Sequence, residues 1–366
     1  MLVRSAETSV LEWIRRYVGP WWAAVEEPTE GGTGPVVTAA LGDIGNVTAG
    51  GTTTGWAEAG YPRTPTRYRR NADGTVVAVA PRDRVTYRWR PAAQRMDVRS
   101  EHGPALARAT ARVTREMVRA QLVTSGWVLL HASAAVLDGE RAVLALGGRG
   151  AGKSTVALTL ASRGAQLLGN DRVFARATED GGVELAPWPS GAAVGLGLMR
   201  ALGWADVARR RWAAGAEPHP SQDPRVTAAL LTGRSEPPRV GERELKAHVR
   251  PEDFTGWFGL RGASSGRVAV TLFPLVRPGA EPQVDDGRAT ALTDADFMSG
   301  AVEDSYPDIF GLTGGANAGT ALARAKVAAR LGALPTRAIA LGHDHRANVA
   351  FLEDITTHPD AEAVVH

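Results

Sequence analysis

The chain has 366 residues, 44% of them hydrophobic, no cysteine, and a formal charge of +3 from 42 Lys and Arg against 39 Asp and Glu. No apolar run approaches the roughly 18 to 20 residues of a membrane span, and Arg4, Glu7, Glu12, Arg15 and Arg16 break up the opening stretch, so it does not read as a signal peptide. The absence of cysteine excludes disulfides and cysteine-ligated zinc; the expectation is a cytoplasmic protein with no membrane and no nucleic-acid partner, because arginine clusters such as Arg67-Tyr68-Arg69-Arg70 and Arg209-Arg210-Arg211 stand without any nucleic-acid-binding signature.

In chain order, Ser9 to Tyr17 has the spacing of a short amphipathic helix, and Glu26 to Gly60, dense in Gly, Thr and Pro, reads as irregular. Thr75 to Ala80, Arg84 to Arg90 and Arg95 to Ser100 alternate apolar and polar residues around Asn71-Ala72-Asp73-Gly74 and Pro91-Ala92-Ala93, which predicts a small antiparallel meander. Leu106 to Val123 is helical by period and ends near Ser125-Gly126, where a domain boundary is placed. Val128 to Val136 and Ala142 to Leu146 predict two strands joined by the Asp-Gly turn Leu137-Asp138-Gly139-Glu140.

Beyond a helix from Ser154 to Arg163, Ala165 to Leu168 is a third strand, leading into Gly169-Asn170-Asp171-Arg172. Val173 to Ala175 and Gly182 to Ala186 continue as β structure about Glu179-Asp180-Gly181. Leu198 to Arg211 reads as one helix, Glu217 to Arg239 as a helix with Pro-rich loop, and Arg267 to Leu275 as a strong strand. A final helix, Thr320 to Leu331, precedes a last strand, Thr336 to Leu341. The expected fold is α/β (α+β): a domain with a mixed sheet over 126–366, and a smaller β-rich domain over 1–125 that serves recognition or the contacts of a homo-oligomer.

The stretch Gly147-Gly148-Arg149-Gly150-Ala151-Gly152-Lys153-Ser154 fits G-x-x-x-x-G-K-S/T and lies between a buried strand and a helix that stops at Gly164. That order suits a triphosphate cradle. The glycines let the backbone turn its N–H groups inward, the helix N-terminus adds positive potential, Lys153 reaches the outer phosphates, and Ser154 holds Mg2+, with Thr155 closing the motif. Only Lys153, Lys246 and Lys326 are lysines among the 42 cations. Lys246 is therefore read either as a second phosphate contact or as a solvated surface lysine.

A nucleotide site needs a carboxylate to steer Mg2+ or accept a proton. Asp171, at the end of the strand after the cradle helix, is placed for it; the alternative is a turn-capping Asp. His131 is read as orienting that carboxylate, or as a buried structural histidine. No Asn-Lys-x-Asp guanine reader occurs, which disfavours a GTPase switch protein.

From His131 through the cradle to Ser162-Arg163-Gly164-Ala165-Gln166-Leu167-Leu168-Gly169-Asn170-Asp171-Arg172-Val173, the chain resembles the bacterial HPr kinase/phosphorylase catalytic domain, a P-loop kinase fold similar to phosphoenolpyruvate carboxykinase. The resemblance implies Lys153 and Ser154 for phosphates and metal, and Asp171 as the base that takes a serine hydroxyl proton. Asn170 stands where that family has an Asp, Thr155 where it commonly has a metal-binding Glu, and Ala192-Ala193-Val194-Gly195-Leu196-Gly197 only echoes its Glu-x-Arg-Gly-x-Gly signature.

The expected activity is transfer of the γ-phosphoryl group of ATP, with Mg2+, to a Ser or Thr hydroxyl of a peptide or small protein, as in kinases that act beside peptide natural-product pathways. The expected active groups are Asp171, His131, Lys153 and Lys246. The alternatives are a kinase for a small-molecule hydroxyl (sugar, nucleoside or antibiotic) and a nucleotide-sensing module without catalysis.

Overall fold

The fold comes from a computed structural model that describes residues 1–25, 34–44, 55–61, 64–234, 236–298 and 307–357. The chain forms two compact units. The first comprises Met1–Gly19, Ala23–Trp127 and Met298–Thr320; the second comprises Pro20–Trp22, Val128–Phe297 and Ala321–His366. No described helix is long and apolar enough to cross a membrane.

Among the described residues, the first unit is a seven-stranded sheet with two α-helices. Its elements are β1 (Leu2–Ser5), α1 (Thr8–Val18), β2 (Val36–Leu41), β3 (Ala57–Gly60), β4 (Pro65–Arg70), β5 (Val76–Ala80), β6 (Val85–Arg90), β7 (Arg95–Ser100) and α2 (Gly103–Thr124). The strands lie in the order β1-β2-β7-β6-β5-β4-β3, with β1/β2 and β2/β7 parallel and the remaining pairs antiparallel. One face buries Val37, Ala39, Val76, Ala78, Tyr87, Trp89, Met96 and Val98, and α2 lies against β2 and β7. The meander is larger than the sequence suggests, since β2 and β3 fall inside the stretch read as irregular; 26–33 and 45–54 of that stretch lie outside the described residues.

The second unit opens with β8 (Val128–Leu130), β9 (Ser133–Val136), β10 (Arg141–Ala145), α3 (Lys153–Ser162), β11 (Gln166–Gly169), β12 (Val173–Ala177) and β13 (Val183–Pro187). A peripheral group follows: β14 (Ala192–Val194), α4 (Leu196–Ala201), α5 (Trp204–Ala213), α6 (Pro224–Leu231), β15 (Arg239–Val240), β16 (Arg243–Glu244), β17 (Ala247–Val249), α7 (Pro251–Gly256) and β18 (Arg261–Gly262). The unit closes with β19 (Gly266–Val276), β20 (Gln283–Val284), α8 (Ala321–Gly332), β21 (Thr336–Leu341) and α9 (His345–Thr357). The main sheet runs β18-β11-β9-β10-β19-β13-β12-β8, and β21 pairs with the later part of β19 and with β20. It is mixed: β10/β19, β19/β21 and β11/β18 are parallel, the others antiparallel.

Helix α3 is apolar all round because it is covered on both sides. Val156 and Leu160 join a core with Val143, Leu272, Ile339 and Leu352. Ala157, Leu158 and Ala161 join another with Trp21, Met199, Trp204 and Phe254. Burying Val156, Leu158 and Leu160 contributes about 1.5–3 kcal/mol each, which fixes the helix that begins at Lys153.

Three sequence readings are corrected. Val128 to Val136 is not one strand: β8 pairs with β12 while β9 pairs with β10 and β11, so the chain changes neighbours at His131-Ala132, where His131 N–H donates to the Asp296 carbonyl at 2.7 Å. The helix expected over Leu198 to Arg211 is two helices, parted at Gly203, whose φ of +71° is left-handed. The helix expected at Thr320 to Leu331 is present as α8, but it is not the final one: α9 follows β21 among the described residues.

Candidate functional site

Strand β9 is antiparallel to both β10 and β11, so those two point the same way. One sheet edge therefore collects the loop after β10, the turn after β11 and the residues before β9. These are Gly147 to Ser154, Asn170 to Arg172, and His131.

In the loop, Gly147, Gly150 and Gly152 have φ of +130°, +81° and +115°, a region that disfavours side chains. Gly152 is also pressed from outside. A Cβ there would lie 2.7 Å from Val276 Cγ2 at the end of β19, and Val276 N–H donates to the Ala151 carbonyl at 3.1 Å. Helix α3 starts at Lys153 with no acidic residue in its first turn, leaving its N-terminal N–H groups free of local carboxylate competition for an anion.

Lys153 is only 7% exposed, and its Nζ donates to the carbonyls of Gly147 at 2.6 Å and Gly148 at 3.1 Å. The ammonium is thus folded into the loop, while Gly148, Arg149 and Gly150 are exposed on its rim; Ala151 and Thr155 are half-buried.

Two hydroxyls meet at the next strand end. Ser154 Oγ donates to the Asn170 carbonyl at 3.4 Å, and Ser133 Oγ donates to the same carbonyl. Asn170 is 6% exposed, and its Oδ1 has no hydrogen-bond partner among the described residues. A Cβ on Gly169 would stand 2.7 Å from the Arg172 carbonyl, so the turn that presents Asn170 and Asp171 closes only over glycine.

Asp171 has 53% of its side-chain surface open, with Oδ1 3.6 Å from His131 Nε2 and Oδ2 3.8 Å from Arg172 Nε. Burial of the carboxyl pushes its pKa up, but the contact with His131 and the charges of Arg172 and Lys153 outweigh it and hold the group below its ordinary 3.8. Arg172 is 13% exposed, with its guanidinium 6.0 Å from the Trp188 ring centroid. It is a fixed charge beside the carboxylate.

The structure brings together His131, Lys153, Ser154 and Asp171. It does not join Lys246 to them: that side chain is exposed between β16 and β17, and no hydrogen bond or ion pair links it to the cradle among the described residues. Ser133 and Val276 were missed by sequence reasoning. Neither carries a local signal, because one acts through a backbone carbonyl at the end of the adjacent strand and the other through its bulk.

The residues fit a nucleoside triphosphate and Mg2+. The loop's left-handed glycines give the backbone the freedom to turn its N–H groups inward that a phosphate cradle requires. The oxygen donors at its edge are the Ser154 hydroxyl, the unpartnered Asn170 amide oxygen and the Asp171 carboxylate, a hard set suited to Mg2+. The sequence matches no protein-family model and no curated protein.

Proposed function

We propose that the chain is an ATP- and Mg2+-dependent kinase that transfers a phosphoryl group to a hydroxyl, that of Ser or Thr in a peptide or small protein. The observation that carries the reading is Asp171: a carboxylate held ionised on the sheet edge that bears the cradle.

The loop N–H groups and the α3 N-terminus hold the phosphates, and Lys153 exchanges its bonds to the Gly147 and Gly148 carbonyls for phosphate oxygens. Asp171 orients the acceptor hydroxyl and takes its proton as the new O–P bond forms and the bond from the γ-phosphorus to the bridging oxygen breaks; a nucleoside diphosphate leaves. His131 and Arg172 keep the carboxylate charged and aimed. Mg2+, held by Ser154 and Asp171 with Asn170 Oδ1 at hand, would neutralise charge on the phosphates.

One observation favours a second reading, a nucleotide-sensing module without catalysis: Asn170 leaves the turn with a single carboxylate. Mass spectrometry of Ser- and Thr-containing peptides incubated with protein, ATP and Mg2+ separates the two. Phosphopeptide formation supports the kinase; tight ATP binding without transfer supports the module.

A further inference from the structure

The outward face of the sheet in the first unit is built largely from arginine, and the nucleotide site leaves it unexplained. Directly paired residues on neighbouring strands share a face, so the register defines its rows. One row runs Arg69, Val77, Arg88, Asp97, Thr38, Arg4. The next runs Glu58, Arg67, Val79, Thr86, Arg99, Ala40. A third sets Arg90 against Arg95.

Seven arginines thus share a face with two carboxylates, a surplus larger than the +3 of the whole chain. Asp97 is engaged by Arg90 and by Arg95, the latter at 3.0 Å, and Glu58 stands 4.0 Å from Arg67. Arg4, Arg69, Arg88 and Arg99 are exposed and form no ion pair with a described acid. Like charges crowded on one sheet face are destabilising, a cost that a polyanionic partner offsets.

We propose that this face docks an extended, acidic peptide segment. Arg67 and Arg69 on β4, and Arg88 and Arg90 on β6, are two residues apart along their strands, about 6.6–6.8 Å, which is also the repeat of same-side residues in an extended peptide. Guanidinium forks take carboxylates in two parallel bonds, so a segment with an acid at every second position meets one strand's arginines in register. Between them lie Val77, Thr38, Thr86 and Ala40, and the three rows contain no aromatic ring. Beside the face, the Trp56 ring is covered by the Arg69 guanidinium, 5.5 Å from its centroid. Single-stranded nucleic acid is bound on sheets by base stacking, and the described residues of this face place no ring in its three rows. The inference stands apart from phosphoryl transfer.

The test is fluorescence anisotropy with the full-length protein and three labelled probes: a peptide alternating Glu and Ser, its Gln counterpart, and a single-stranded oligonucleotide of matched charge. The Glu peptide binds, the Gln peptide does not, and affinity falls about tenfold or more as salt rises from about 0.05 to about 0.3 M. Combined Arg69→Glu, Arg88→Glu and Arg99→Glu weakens binding at least about tenfold, while Arg209→Glu with Arg210→Glu on α5 changes it less than about twofold. If charge reversal lowers the melting temperature, Arg88→Gln with Arg99→Gln replaces it and weakens binding at least about threefold. Unchanged affinity in these variants, no binding of the Glu peptide, or tighter binding of the oligonucleotide would each overturn the proposal.

Discussion

Asp171 and His131 stand 3.6 Å apart, although one follows β11 and the other precedes β9. The antiparallel placement of β9 beside β11 makes the meeting possible, and the contact helps to lower the Asp171 pKa. Removing the imidazole with His131→Gln raises that pKa toward its ordinary value. In the proposed mechanism the ionised carboxylate is the working form, so the acid limb of a pH–rate profile moves to higher pH. A profile with an unmoved acid limb would show that His131 does not tune the base.

Gly152→Ala tests the loop from the steric side. The residue sits at φ +115°, and its Cβ would meet Val276 Cγ2 at 2.7 Å. Strain and the displaced end of β19 should cost about 1–3 kcal/mol, read as a lower melting temperature, and ATP affinity should fall with it. A variant with native melting and native affinity would be falsifying.

Asn170→Asp asks whether the unpartnered amide oxygen would face Mg2+ in the proposed site. An added carboxylate at this buried position lowers stability without Mg2+ by about 1–3 kcal/mol, since a charge replaces a neutral group. It also raises Mg2+ affinity about tenfold through the extra ligand charge. Calorimetry of ATP binding over a Mg2+ series measures this; an unchanged Mg2+ requirement contradicts the placement.

Asp253 supplies a stability prediction outside the site. It is 7% exposed at the start of α7, and burial raises its pKa to about 6 despite the Arg250 N–H it accepts. Because the folded value lies above the unfolded 3.8, its stabilising contribution is complete below 3.8 and disappears as pH rises through about 6. Asp253→Asn, which still accepts the Arg250 N–H, should flatten urea-unfolding stability across that window. Equal slopes for both proteins would refute it.

The strand, loop and helix around Lys153 were legible because each part is local: a buried strand, glycines, a lysine, and a helix stopped at Gly164. The site around it was only half legible, since Asp171 and His131 meet through strand order, which periodicity does not encode. Strand β1 is four residues long, and β4 carries arginine at three of its six positions, so neither displays strand propensity. Helix α9 did leave a trace: Asp344 caps it by accepting the N–H groups of Arg346 and Ala347, and Asn348, Leu352 and Thr356 repeat at helical spacing on its buried side. The segment 298–320 joins the first unit from far along the chain, and no local pattern announces such a return.

In the proposed mechanism Asp171 acts as the base beside a triphosphate cradle. Its most direct test is label transfer from γ-labelled ATP to Ser- and Thr-containing peptides by the native protein and by Asp171→Asn, with ATP binding measured calorimetrically on both. A rate loss of about 10²–10⁴ is expected, with ATP affinity preserved. Transfer at the native rate by Asp171→Asn, or no transfer by the native protein, contradicts it.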